Sequence, residues 1–208
     1  MAIADISIGV RTVNHWIGGR RVASKSGRSG VVWNPATGEA QAKVDFASIE
    51  EVDEAVAAAK SAFVEWRATP LSRRSEVMFK MRELVDANRR QIAELLTLEH
   101  GKTLPDAMGE VARGLENLEF ACGVPHLLKG GFSEQSSRGI DTYQIHQPLG
   151  VVAGITPFNF PAMVPMWMFG NAIACGNAFI LKPSEKDPSV SLFIAELLLV
   201  PSSDKAVL

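Results

Sequence analysis

The sequence predicts an α/β fold organised on a parallel sheet, and the stretch from Gly150 to Ser189 carries the prediction. Val151 to Ile155 is a short apolar run rich in β-branched residues, as a buried strand requires. From Ala162 to Cys175 the apolar residues are continuous, as in a buried helix, and Gly176 supplies the stop. Ala178 to Leu181 is a second apolar strand, ended by Lys182-Pro183. The 22 residues from Thr156 to Asn177 suffice for a crossover, so the strands should be parallel neighbours in a βαβ unit, the opening of a Rossmann-like sheet.

That topology already places a site. In open α/β sheets ligands bind beyond the carboxyl ends of the strands. The loop TPFNFP (156–161) and the loop KPSEK (182–186) then share one rim and face one crevice. Two prolines make the first loop unable to continue a ladder and stiffen it.

The remaining elements read in order. Asn14 to Val22 is a hairpin of two short strands around Gly18-Gly19. Asn34 to Glu39 is a turn, and Ala42 to Phe46 a further short strand. Ser48-Ile49-Glu50-Glu51 is a capping box that opens a helix, with Ile49, Val52, Val56, Ala59, Phe63 and Trp66 on one apolar face. Pro70 starts a second helix with Leu71, Met78, Met81, Leu84 and Val85 inward, and a third runs from about Arg89 to His100 and stops at Gly101. The pairs Arg73-Arg74 and Arg89-Arg90 read as solvated charge. A fourth helix starts near Thr103 with Pro105 in its first turn and a buried stripe of Met108, Val111, Leu115, Leu118 and Cys122. Arg113 lies off that stripe, on a face with Glu110 and Asn117, and taken alone reads as a surface partner of Glu110. Gly130 to Pro148 alternates polar and apolar residues and reads as an exposed ribbon with an open edge.

Bulk properties narrow the function classes. With 208 residues and 47% hydrophobic content the chain can build a substantial core. A net charge of −2 gives no electrostatic case for nucleic acid or an anionic membrane as partner. No apolar run reaches the ~18 residues of a membrane span, and the first twelve residues lack a leader pattern, which predicts a cytoplasmic location. Two cysteines and four scattered histidines offer neither a disulfide framework nor metal-ligand spacing, so no metal is expected. There is also no GxGxxG, Walker loop, HExxH or GxSxG.

TPFNFP, the Met-rich helix, CGN and LKPSE together resemble the aldehyde dehydrogenase superfamily, and PMWMF with KPSEKDP is similar to its CoA-acylating methylmalonate-semialdehyde dehydrogenases. The likeness runs from about Thr12 to Leu197. It implies the N-terminal part of an aldehyde dehydrogenase-like fold, with residues 1–129 as strands and helices of the cofactor-binding domain. Residues 130–148 become an oligomerisation ribbon, 149–197 the first βαβ of an NAD-binding sheet, and the catalytic domain is absent. It implies NAD as cofactor, coenzyme A as co-substrate, a small aldehyde as substrate, and a homo-oligomer, tetrameric at full length.

Site residues follow from the same resemblance. Asn159 becomes the oxyanion donor for a tetrahedral thiohemiacetal, a role in which a preorganised amide contributes about 10²–10³ in rate. Read without the resemblance, it is a loop asparagine that satisfies its own backbone. Lys182 and Glu185 are assigned to the adenosine ribose, with Ser184 and Lys186 beside them and Thr156 and Phe158 lining the cofactor cleft. A carboxylate at that strand end accepts from ribose hydroxyls and repels a 2′-phosphate, favouring NAD over NADP. Arg113 matches an arginine facing the aldehyde pocket, where its planar fork suits a substrate carboxylate. Cys175, at the carboxyl end of a helix in apolar surroundings, is not expected to be nucleophilic, and neither is Cys122.

Two features depart from the pattern. Gly170 stands where the family commonly has proline, and residues 198–208 read as a divergent tail such as a premature stop or frameshift would leave. An isolated chain with an open sheet edge should be poorly soluble and inactive as a dehydrogenase. Two other functions remain: a non-acylating aldehyde dehydrogenase of another substrate class, and a non-catalytic fragment that associates with intact subunits.

Overall fold

The structure, a computed structural model, describes residues 11–199. The tail from residue 200 and the first ten residues, read above for a leader, lie outside the described residues. Strands β1 (Arg11–Val13), β4 (Ser29–Trp33) and β5 (Ala40–Asp45) form a small sheet in the order β1-β5-β4, with β1 parallel and β4 antiparallel to β5. Between β1 and β4 stands the predicted hairpin, β2 (His15–Ile17) and β3 (Arg20–Val22), turned by Gly18 and Gly19, both at positive φ.

Four helices follow: α1 (Ile49–Ala68), α2 (Leu71–Ala87), α3 (Arg89–His100) and α4 (Leu104–Cys122). The Ser48 capping box is formed in full, with Ser48 Oγ accepting from Glu51 N and Glu51 accepting from Ser48 N at 2.7 Å. Glu51 is buried and also accepts from Lys25 N at 2.6 Å and Ser24 Oγ at 2.8 Å. These donors, the two backbone amides first, hold its carboxyl down to about 2. Gly101 ends α3 in the left-handed region (φ 85°), and a Cβ there would lie 2.6 Å from Pro35 Cγ. Thr103 caps α4, with Pro105 in the first turn as predicted.

After the short α5 (Val124–Leu127) comes a hairpin, β6 (Phe132–Ser137) and β7 (Ile140–Tyr143), that stands off the main body with every strand residue exposed. The βαβ unit is then β8 (Val151–Ile155), α6 (Met163–Ala174) and β9 (Ala178–Lys182), followed by α7 (Ser189–Leu199). β8 and β9 are parallel and in register from Val151↔Ala178 to Ile155↔Lys182. Among the described residues they pair only with each other, so both outer edges are open, and Leu149 and Ile155 are exposed beside them.

One core joins the helices to this sheet. Met78, Met81, Ile92, Leu96, Leu118, Met166, Phe169, Ile173 and Ile194 are essentially inaccessible and form one cluster with Phe179. Trp66 reaches into it and donates its indole N–H to Ile173 O at 2.9 Å. The most extensive helix contact is α4 on α6, where Gly114 faces Met166 and Gly170 faces Leu118. A Cβ on Gly170 would lie 2.9 Å from Leu118 Cδ2, so glycine here lets the two helices approach, and α6 runs through it unbroken.

Three expectations need correction. On α1 only Trp66 of the predicted face is buried: Ile49 is exposed at the helix start, and Val52 and Ala59 line an apolar cleft of about 470 Å³ against β2 and β9. On α2, Leu71 is exposed and Val77 is buried in its stead. Arg74 is not solvated: it is buried beside Gly176 and Cys175, with Nε and Nη1 unpartnered, because its side of α2 faces the end of α6.

Met81→Ala is expected to destabilise the fold by about 2–5 kcal/mol, read by urea denaturation. For Glu51, a carboxyl held below its ordinary 4.5 contributes stability above pH 4.5 that is lost as pH falls towards 2. Glu51→Gln should therefore lower the melting temperature at pH 6 and flatten the acid limb of the curve between those values.

Candidate functional site

The register of β8 and β9 brings the two predicted loops to one level. Thr156 N donates to Lys182 O at 3.1 Å, tying the loop origins together. Further out, Lys186 Nζ stands 4.1 Å from the centre of the Phe158 ring, a cation–π contact that joins the two loops. The shared rim predicted from the strand order is therefore formed.

Each predicted residue has a definite place on it. Thr156 is buried with Oγ1 unpartnered, and Phe158 is half exposed. Lys182 and Glu185 are exposed and paired at 3.0 Å; the Glu185 carboxyl is held below its ordinary value, first by its own backbone amide and then by Lys182. Ser184 is buried and accepts from Lys186 N at 3.1 Å, which shapes the turn rather than presenting its hydroxyl. Asn159 is exposed; its side-chain amide has no hydrogen-bond partner among the described residues, while its carbonyl is held.

Arg113 reaches the same neighbourhood from α4. Its guanidinium lies 5.9 Å from the Phe160 ring, next in sequence to Asn159, and Nε donates to Gly109 O at 3.2 Å. The reading of Arg113 as the partner of Glu110 is corrected by the structure. Glu110 is fully buried and pairs with Lys102, and no carboxylate among the described residues meets Arg113. The Arg113 guanidinium is thus exposed and without a carboxylate partner among the described residues.

Sequence reasoning missed what lies beneath the rim. Glu110 Oε1 accepts from Ala162 N at 2.8 Å and Met163 N at 3.1 Å, the first amides of α6, which no side chain of its own N-cap satisfies. Glu99, also buried, accepts from Ser189 N at 3.0 Å and from Arg11 at 2.9 Å, and so holds the start of α7. The one signal for Glu110 was its position, three residues after Ala107 and four before Gly114, a row of small buried residues. Cys122 and Cys175 are as expected: burial raises both thiols above their ordinary value, against the pull of Arg82 on the first and Arg74 on the second. No group of His, Cys, Asp and Glu among the described residues could hold a metal ion, and no helix among them is long and apolar enough to cross a membrane.

Asp187 sits on the second loop, 2% exposed, with Oδ1 unpartnered. Burial first, then Glu99 and Glu110, push its carboxyl up to about 7, against Ser184 and Lys102. A carboxyl raised in the folded state favours folding while protonated, and that contribution is lost as pH rises from 3.8 through 7. Asp187→Asn should accordingly melt higher than the wild-type chain at pH 8 and match it far more closely at pH 5.

Comparison with known proteins agrees with this architecture. The chain is 52% identical over 197 residues to the malonate-semialdehyde dehydrogenase of Pseudomonas aeruginosa, covering 95% of this chain and 39% of the relative. To the acylating, mitochondrial methylmalonate-semialdehyde dehydrogenase of Arabidopsis thaliana it is 51% identical over 187 residues, 90% of this chain and 31% of the relative. The crystal structure of methylmalonate-semialdehyde dehydrogenase from Oceanimonas doudoroffii superposes with a TM-score of 0.92 at 51% identity, over 95% of this chain and 40% of that one. A Sinorhizobium meliloti structure complexed with NAD superposes with a TM-score of 0.94 at 50% identity, over 97% and 41%. The chain thus spans about 40% of the length of such relatives. The Aldehyde dehydrogenase family matches residues 22–207, on past Leu197, and the chain belongs to that family.

Proposed function

We propose that this chain supplies the cofactor rim and one wall of the aldehyde pocket of an NAD-dependent, CoA-acylating malonate- or methylmalonate-semialdehyde dehydrogenase. The observation that carries the reading is the meeting of the two rim loops, with Lys186 over Phe158, which puts the loop of the Lys182–Glu185 pair beside the loop of Asn159. The relatives named for these semialdehydes, and the NAD-bound neighbour, support the substrate class and the cofactor.

In this reading Glu185 and Lys182 hold the adenosine ribose hydroxyls, and Thr156 lines the cofactor cleft. Ser184 orders the turn, and Lys186 and Phe158 bound the cleft. NAD, when bound, accepts the hydride of the aldehyde. Asn159 donates its amide N–H to the carbonyl oxygen as negative charge develops there. Arg113 receives the carboxylate of the semialdehyde. The acyl group, held as a thioester on a thiol nucleophile from outside these residues, would then pass to the thiol of coenzyme A with release of that nucleophile, and loss of carbon dioxide would give acetyl-CoA or propionyl-CoA. The thiol nucleophile is assigned to neither Cys122 nor Cys175, whose raised values oppose a thiolate.

Residues 1–129 and 149–197 are read as parts of one cofactor-binding unit, and residues 130–148 as the arm of a homo-oligomer, a tetramer at full length. Phe132, Ile140 and Tyr143 are exposed on that hairpin, which supports the arm.

Calorimetric titration of NAD into the purified chain tests the reading. Saturable binding is expected, stronger for NAD than NADP, and Glu185→Ala should weaken it about 10-fold or more through the lost charge-assisted hydrogen bonds. Absence of saturable binding, or no effect of Glu185→Ala, overturns it.

A further inference from the structure

An oxyanion donor acts through preorganisation, so whatever fixes the backbone of Asn159 is part of its function. The prolines at 157 and 161 restrict their own φ and the residue before each, but they leave the peptide planes of Phe158, Asn159 and Phe160 to be set from outside. Three contacts set them. Thr156 N is held by Lys182 O, as above. At the other end Ala162 N and Met163 N converge on Glu110 Oε1. In the middle, Lys102 Nζ donates to the carbonyl of Asn159 itself at 3.0 Å.

The last two contacts are one device. Lys102 Nζ also pairs with Glu110 Oε2, and it lies 4.9 Å from the centre of the Phe160 ring. The Glu110 side chain is fully buried and that of Lys102 is 10% exposed. An ion pair so desolvated is weak evidence for stability, because hydrophobic replacements do as well or better. It is well suited to fix geometry, since each charge is committed to a named backbone atom on the reactive loop.

We propose that Lys102 and Glu110 are positioning residues for Asn159: Glu110 anchors the loop where it enters α6, and Lys102 holds the Asn159 carbonyl so that the side-chain amide projects into the crevice. The inference rests on the reading of Asn159 as the oxyanion donor. It adds two residues that touch neither the aldehyde nor the cofactor.

The test separates positioning from stability. In Glu110→Gln the amide oxygen still accepts from α6 and Lys102 still reaches Asn159. In the double variant Lys102→Met, Glu110→Gln the buried pair is neutralised as a pair, the side-chain amide introduced on α4 still caps α6, and only the hold on Asn159 is lost. The readout is ¹⁵N relaxation of the backbone amides of Phe158, Asn159 and Phe160 in the full chain. Order parameters near 0.85 are expected in wild type and Glu110→Gln, falling below about 0.6 in the double variant, with the amides of α2 unchanged. Unchanged order at Asn159 in the double variant overturns the proposal. If that variant fails to fold, the wild-type values decide: order below about 0.6 at Asn159 means that nothing positions it. NAD titration on the same samples keeps the two readings apart. A wild-type chain that is ordered at Asn159 but binds no NAD counts against the proposed function, not against the positioning.

Discussion

The crevice depends on two buried carboxylates. A parallel strand pair brings two loops to one rim, but it does not fix where the helices after those loops begin. Here that is done from outside the βαβ unit. Glu110 on α4 takes the first amides of α6, and Glu99 at the end of α3 takes the first amide of α7. These amides are met by a carboxylate from another helix rather than by a Ser, Thr, Asp or Asn cap of their own, and a carboxylate at the positive end of a helix is favoured by the dipole as well as by the hydrogen bonds. The α3–α4 hairpin is therefore more than a layer over the sheet; it is the frame on which both loops are mounted.

That arrangement explains what the sequence disclosed and what it withheld. The strands, the helices and the shared rim were legible because they rest on local signals: β-branched runs, glycine stops, a capping box at Ser48, Thr103 before Pro105. The loop residues were legible only through the family motif they compose. Glu110 and Arg74 were misread as surface charges, and for one reason. Burial of a charge is decided by a neighbour distant in sequence: the start of α6 for the first, the end of α6 for the second. The apolar face of α1 failed in the opposite sense. Of that face Trp66 joins the core, whereas Val52 and Ala59 line a cleft and Ile49 is exposed.

The acidic residues under the rim also divide by role. Glu99 and Glu110 each accept from backbone amides at a helix start and from a basic side chain. Asp187 has one oxygen unpartnered, and burial first, then the nearby Glu99 and Glu110, raise its carboxyl. In the proposed function the exposed groups Asn159, Lys182, Glu185 and Arg113 carry the chemistry, while Glu99 and Glu110 below them hold the starts of helices.

Gly101 gives this division an unexpected address. It is the hinge between Glu99 and Lys102, its φ of 85° is one that side chains resist, and Pro35 closes the space a Cβ would need. A larger residue there strains the left-handed turn and displaces Pro35, at the junction of the helices that carry the two anchors. A position that touches neither loop thus joins the two helices that anchor them, so a change in its turn is passed to both.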